Sequence, residues 1–141
     1  TAISKRTEGL YRQIWCVFDK DDFSDFDDAI CLADKHGIGT AFSNQAFDLW
    51  FIMHFKVCNG ALHRDKYEDI INSCFVRDIN NRYKKPYGEL YSKLKNKIEK
   101  AVNNAKVGHQ NHIKNGGKPS DWESCTTVYK LVSELLKWQK R

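Results

Sequence analysis

Six aspartates crowd into one short stretch of the sequence, VFDKDDFSDFDD, which contains a single lysine. Carboxylates this close repel one another, so the stretch costs stability unless a counter-charge is bound. A divalent cation would supply that charge, since Mg²⁺ and Mn²⁺ take oxygen ligands. The predicted metal ligands are Asp19, Asp21 and Asp22. The alternative is an acidic, solvated turn.

The other three aspartates have a structural explanation. Asp25, Asp27 and Asp28 fall in the first turn of a predicted helix. The helix dipole favours negative charge at that end. We therefore predict that these three stabilise the helix and take no part in chemistry.

The position of Asp19 depends on the elements around it. The run IWCVF is β-branched and aromatic, which is typical of a buried parallel strand ending at Asp19. The predicted order is a strand at 14–18, a helix at 25–36, a strand at 38–42 and a helix at 45–55. This rhythm predicts parallel strands joined by a right-handed crossover. Ligands of such sheets bind at the carboxyl ends of the strands, where Asp19 and Asp21 point the same way if the extended geometry continues.

A second polar set follows the second predicted strand, in FSNQAFDLWFIMHF. If the two strands pair, Ser43 and Asn44 lie beside the end of the first. The helix that follows is apolar on nearly every face, which predicts that it is buried. A buried Asp48 needs a partner, a proton or a metal, or else it bonds to nearby backbone. Trp50 and His54 share this helix, and a histidine in such a setting is more typical of a packed core than of a ligand.

The second half of the chain is predicted to be helical. Its elements are an amphipathic segment at 66–75, a loop at 77–85, a long helix at 87–107, a loop at 108–118 and a last helix that opens at Ser120 with a capping box to Glu123. The predicted fold is therefore α/β, with a small parallel sheet flanked by helices and a helical C-terminal half at 87–138. A chain of 141 residues is the size of one domain, 1–141.

Charge is distributed unevenly between the two halves. Residues 1–60 carry six Lys/Arg and nine Asp/Glu, whereas residues 61–141 carry seventeen and nine. A basic half next to an acidic spot favours an anionic partner such as nucleic acid, although lysines on a solvated helix face are the plainer alternative. The lysines predicted to contact a nucleic-acid backbone are Lys93, Lys95, Lys97 and Lys100.

The cysteines and the hydropathy of the sequence indicate the cellular compartment of the protein. Five cysteines without a CxxC motif predict buried free thiols in a reducing cytoplasm. No apolar run approaches the roughly 20 residues that span a bilayer, so we predict a soluble cytoplasmic protein without membrane contact. The sequence starts at Thr1 rather than Met, and we expect further residues upstream. His109 and His112 have no companion ligands at zinc spacing, so no zinc site is predicted.

Several blocks of the sequence together resemble the RloB-like family. They are WCVFDKDD at 15–22, FDDA at 26–29 and AFSNQAFDLWFIMHF at 41–55. The closing KPSDWESCTTVYKLVSELL also resembles that family's final segment. The blocks occur in the correct order and cover most of the chain, and SNQAFDLWFIMHF is the most specific of them.

The resemblance implies a Toprim-like fold and a role in antiviral defence, at restriction loci and in abortive infection, often beside a partner ATPase. It also implies Mg²⁺-dependent phosphodiester chemistry or nucleic-acid binding. Asp19 and Asp21 would be the Toprim DxD pair, with Asp22 adjacent. Ser43, Asn44 and Asp48 would belong to the family's second block.

The sequence departs from the family pattern in two places. Asp48 stands where a Glu is expected, which is one methylene longer. A Toprim domain also has a Glu at the end of an earlier strand, and Glu8 is too close to Asp19 for a helix to lie between them. That Glu is expected upstream, and a chain without it would hold metal poorly and be inactive.

Two classes of function follow. The first is a metal-dependent nuclease of Toprim type with Asp19, Asp21 and Asp48 as catalytic residues. The second is a non-catalytic adaptor or nucleic-acid-binding subunit of an ATPase-containing defence complex. In either class the protein could act as a homo-oligomer.

Overall fold

The fold is described from a computed structural model, which describes residues 1–79 and 90–139, with only the backbone of 78 and 79. The helices are α1 (Ala2–Thr7), α2 (Phe26–Lys35), α3 (Asp48–Met53), α4 (Tyr67–Ile79), α5 (Leu90–Leu94), α6 (Ile98–Asn115) and α7 (Val128–Gln139). The strands are β1 (Trp15–Asp19) and β2 (Gly39–Ser43), and 3₁₀ turns occupy Arg64–Lys66, Lys95–Lys97 and Pro119–Asp121. The predicted loop at 77–85 lies mostly outside the described residues, and its first three residues are helical.

The two strands pair in parallel, as predicted, with Trp15 opposite Gly39 and Asp19 opposite Ser43. Helix α2 connects them, so the βαβ unit and the α/β fold class are confirmed. β2 is the inner strand and is almost wholly buried, whereas Val17 in the middle of β1 is 52% exposed. On the side of β2 that faces away from β1, Ser43 forms an isolated antiparallel bridge with Thr126.

Apolar side chains cover both faces of this small sheet. The larger core cluster lies among α3, α4, α6 and α7, and its fully buried members include Leu49, Ile52, Met53, Tyr67, Ile71 and Phe75. The smaller cluster joins Phe18, Phe26 and Phe42 on the other face, with ring centroids 5.2–6.5 Å apart. Each strand therefore alternates between the two clusters, which is why the apolar runs of both strands are nearly continuous.

The helix boundaries correct three predictions. The predicted helix at 45–55 begins only at Asp48, because Gln45 has a left-handed backbone with φ 73°. The predicted loop at 108–118 is wrong up to Asn115, since α6 continues until Gly116 ends it at φ 87°. The last helix starts at Val128 rather than at Ser120, which instead lies in a 3₁₀ turn.

Within the described ranges, no helix has the length and apolar character needed to cross a membrane.

Candidate functional site at the carboxyl end of the sheet

Asp19 is the last residue of β1 and is half-buried. Its register partner is Ser43, so the second polar block does lie beside the end of the first strand, as predicted. The segments that follow the two strands remain hydrogen-bonded to each other. The Lys20 N–H donates to the Ser43 carbonyl at 3.0 Å, and the Asp21 N–H donates to the Gln45 carbonyl at 3.3 Å. The two loops thus form one continuous edge.

The backbone changes direction between Asp19 and Asp21. Asp21 has φ 47°, so the extended geometry that would align the two side chains stops at the end of the strand. Asp21 and Asp22 instead share one cation, Arg64. Its guanidinium forms an ion pair with Asp21 through Nη1, and its Nη2 lies 3.0 Å from Oδ2 of Asp22.

Arg64 is fixed to the same edge by its backbone. Its N–H donates to Oε1 of Gln45 at 2.8 Å. Asp21, Gln45 and Arg64 therefore form a closed set of contacts between three separate loops. Sequence reasoning missed Arg64, because it lies more than 40 positions from Asp22 in a polar stretch without periodicity or motif.

Backbone strain concentrates at this edge. The non-glycine residues with left-handed φ values in the described chain are Asp21, Gln45 and Ser124. Asp21 and Gln45 are bonded to each other, and Ser124 precedes Cys125, whose carbonyl accepts the Asn44 N–H at 2.8 Å. Such conformations cost on the order of 1–3 kcal/mol each and cluster at binding and catalytic sites.

Ser43 and Asn44 hold the edge together from inside. Both are buried, and Oγ of Ser43 lies 2.9 Å from Oγ1 of Thr126. Nδ2 of Asn44 donates to the carbonyls of Pro119 at 3.4 Å and Ser120 at 3.3 Å. These two family-block residues connect β2 to the segment before α7, so in this structure they organise the edge.

A buried tyrosine reports on the charges around the edge. The Tyr67 hydroxyl is buried and donates to the Asn44 carbonyl at 3.5 Å. Its pKa is raised, chiefly by burial and then by the acidic groups Cys58, Asp48, Glu123 and Asp19. Glu123, which the sequence analysis assigned to a helix cap, is exposed and lies two residues before Cys125, whose carbonyl accepts the Asn44 N–H.

The acidic edge offers carboxylate oxygens, which are the ligands that Mg²⁺ takes. Across residues 1–79 and 90–139, no group of three or more His, Cys, Asp or Glu side chains is arranged to hold a metal ion. Mg²⁺ in phosphate-processing sites is held by one or two carboxylates and completes its shell with waters and phosphate oxygens. At this edge Asp19, Asp21 and Asp22 are the carboxylates that could contribute one or two such ligands, and Arg64 already pairs with two of them.

Trp50 and His54 belong to the interior. Nδ1 of His54 donates to the Trp50 carbonyl at 3.0 Å, and the two rings meet edge to face at 5.1 Å. Burial lowers the pKa of His54 to about 4. His54 is thus a neutral, hydrogen-bonded core histidine near the far end of α3 from Asp48.

His109 and His112 lie one turn apart on α6, where the sequence predicted a loop. His109 contacts the Tyr129 hydroxyl through Nδ1 at 3.0 Å, and His112 contacts the Glu123 carbonyl through Nε2 at 2.8 Å. Both rings pack on Trp122. Burial lowers the pKa of His109 to about 4, so this pair joins α6 to the segment that carries Glu123.

The four predicted nucleic-acid-binding lysines do not share one helix. Lys93 lies in α5, Lys95 and Lys97 in the 3₁₀ turn, and Lys100 in α6. They stand at the start of α6, whereas His112 near its end reaches Glu123. Nζ of Lys97 lies 5.6 Å from the centroid of the Phe55 ring, seven residues after Asp48, so the start of α6 is close to the end of α3.

Asp27 has a structural contact that predicts a measurable effect. Its carboxylate accepts the Ser120 N–H at 2.8 Å and the Ser120 hydroxyl at 2.5 Å, which joins α2 to the turn before α7. We expect Asp27→Asn to lower the free energy of unfolding by about 1.5–3 kcal/mol, the range for hydrogen bonds to a charged group. Urea unfolding measures it. Asp28→Asn, an exposed change on the same helical turn, is the matched control, and an equal loss in both variants would contradict this role.

Comparison with known proteins was made on the whole chain. A family model described as RloB-like protein matches residues 2–135, which include β1, the Asn44 block and the Thr126 segment. No curated protein and no solved structure matches the chain.

Proposed function

The chain belongs to the RloB-like family, and on that premise we propose that it is a Toprim-type defence protein that binds Mg²⁺ or Mn²⁺ and cleaves nucleic-acid phosphodiesters. The proposed site is the edge formed by Asp19, Asp21 and Asp22 with Arg64. A partner ATPase and a role in abortive infection are part of the same proposal. They rest on the family resemblance rather than on geometry.

One observation supports this proposal above the others. Three carboxylates follow the end of a parallel strand, where α/β sheets bind ligands, and an arginine spans two of them. An arginine next to acidic metal ligands is a suitable partner for a phosphate, because its planar fork binds two oxygens at once. The edge therefore combines the donors for a cation with a donor for the anion it would polarise.

Each residue has a distinct proposed task. Asp19, with Asp21 or Asp22, would hold the cation, which when bound supplies Lewis-acid stabilisation of charge on the phosphate. Arg64 would orient a phosphate oxygen pair. Asp48, half-buried and one element away, is the proposed proton acceptor.

The lysines at the start of α6 would contact the backbone of a bound strand. Such contacts fix position without reading sequence. Lys97 is the most restrained of them, since its Nζ lies 5.6 Å from the centroid of the Phe55 ring.

The proposal is tested with Asp19→Asn in the full-length protein. We expect Mn²⁺ binding, measured by electron paramagnetic resonance, to weaken at least about tenfold, since a neutral amide replaces a charged ligand. Metal-dependent cleavage of labelled DNA or RNA is expected to fall by two orders of magnitude or more. Asp25→Asn, an exposed change in the same acidic stretch, is the control and should leave both readouts unchanged. Cleavage retained by Asp19→Asn would remove Asp19 from the site.

A second function is favoured by a different observation. Arg64 already pairs with Asp21 and Asp22, and the described residues offer no three-ligand metal group. A non-catalytic adaptor that docks an ATPase and binds nucleic acid would not need a metal site. Stable co-purification with the ATPase, together with no cleavage under Mg²⁺ or Mn²⁺, would favour the adaptor over the nuclease.

A further inference from the structure

Two adjoining cavities lie at the amino end of the sheet, opposite the acidic edge. Their volumes are about 560 and 290 Å³, within or close to the range of small-ligand sites. The walls that they share are Arg12, Gln13, Trp15 and Glu134. We call this surface the amino-end groove.

The amino-end groove is positively charged. Arg6 and Lys130 line the larger cavity, and Arg12 lines both. The only carboxylate among the lining residues is Glu134, which is already engaged: Lys137 and Nε2 of Gln13 both donate to it. Three cations therefore face one compensated anion, which is an arrangement complementary to a polyanion.

The groove also presents aromatic rings in fixed orientations. The Trp15 indole lies flat on Gly39, so closely that a Cβ there would be 2.5 Å from the ring, and its N–H donates to Oε1 of Gln13 at 3.1 Å. Tyr11 and Trp138 are 51% and 46% exposed in the smaller cavity. The Arg12 guanidinium carbon lies 5.1 Å from the centroid of the Trp138 ring.

We propose that the amino-end groove binds single-stranded nucleic acid. The phosphates would lie along Arg6, Arg12 and Lys130, and bases would stack on Tyr11 and Trp138. Exposed aromatic platforms beside a cationic track are how proteins bind single strands, since every base has a face that can stack. An acidic peptide would use the same cations but gains little from two exposed rings. This inference rests on the nucleic-acid part of the proposed function and is independent of the metal.

The test is binding of a fluorescein-labelled oligonucleotide of roughly twelve nucleotides to the full chain in EDTA, followed by anisotropy. DNA, RNA and a duplex are measured separately. We expect Arg6→Ala with Arg12→Ala to weaken single-strand binding at least about tenfold and to reduce the salt slope by about 1.4, which is two lost phosphate contacts. Trp138→Ala is expected to weaken it about fivefold or more, and Trp138→Phe to restore it.

The matched control removes the same charge elsewhere. Lys106→Ala with Lys114→Ala takes two exposed lysines from α6 that neither proposal uses and should cost less than the arginine pair. Circular dichroism checks that each variant is folded. The groove is ruled out if the wild type does not bind, if the lysine pair loses binding while the arginine pair keeps it, or if polyglutamate competes equally and Trp138→Ala changes nothing. Because EDTA is present, failure of the metal site leaves this result unaffected.

Discussion

Lowering the pH from 7 to 4 is expected to remove several kcal/mol from the free energy of unfolding, because two buried histidines are neutral in the folded chain. The pKa values of His54 and His109 are each lowered from 6.5 to about 4 by burial. Between these values the unfolded chain binds a proton that the folded chain does not, so stability falls as the pH falls from about 6.5 and is fully present above it. A shift of this size corresponds to at most about 3 kcal/mol per histidine. The two together approach the whole stability of an ordinary domain, roughly 5–15 kcal/mol.

The measurement is urea unfolding at half-unit pH intervals. Between pH 5 and 6 the slope of the unfolding free energy is expected to correspond to nearly two protons in the wild type, and to about one in His109→Gln, which keeps a polar group near Tyr129. Carboxylates add their own dependence mainly below pH 5, so this window isolates the histidines. His36→Gln, an exposed change, is the control. If His109→Gln and His36→Gln show the same slope as the wild type, burial of His109 does not carry this pH dependence.

Leu49→Ala is expected to be strongly destabilising. Leu49 is fully buried in the main core cluster, next to Asp48 at the start of α3. Removing three buried carbons and leaving a cavity costs about 2–5 kcal/mol. For a chain of this length that corresponds to a fall in Tm of roughly 6–15 °C. The looser helix should also lower any activity that depends on Asp48.

Comparing the Tm of Leu49→Ala with that of Leu32→Ala separates the effect of burial from the effect of replacing a leucine. Leu32 is 49% exposed on α2, so its loss should change the unfolding free energy by no more than about 0.5 kcal/mol. Similar Tm values for the two variants would show that α3 is not anchored by Leu49. The specificity of the SNQAFDLWFIMHF block would then need an explanation other than packing.

The sheet was predictable because its signals are local. IWCVF and IGTAF are short apolar runs, and the amphipathic helix between them leaves only parallel pairing. The structure places the strands within one residue of the prediction and puts Asp19 at the strand end. Where burial decides secondary structure over a few adjacent residues, composition is sufficient to find it.

The helix boundaries in the second half were not predictable on the same basis. The segment from Gly108 to Asn115 is polar and typical of a loop, yet it is helical, and its His109 is buried against the distant Tyr129. Ser120 resembles a helix cap, but its N–H and hydroxyl are taken by Asp27. In both cases tertiary contacts overrode a local preference.

Some residues of the candidate site were predictable from the sequence and others were not. Asp19 and its neighbour Ser43 followed from strand pairing, whereas Arg64 did not, because it reaches the edge from a remote loop. The left-handed backbone of Asp21 was also hidden, since glycine is the residue that normally marks such a conformation. A convergence of loops is a property of the folded chain and leaves no spacing in the sequence.

The bridge between β2 and the segment before α7 has a consequence for how the protein is made. Ser43 bonds to Thr126, and Phe42 to Thr127, across 83 and 85 positions of the chain. At a synthesis rate of about 5–20 residues per second, roughly 4–17 s pass between translation of the strand and of its partner. For that interval the nascent chain presents an open strand edge, the kind of surface on which aggregation starts. The segment before α7 can cover this edge of β2 only after Thr126 and Thr127 have been translated.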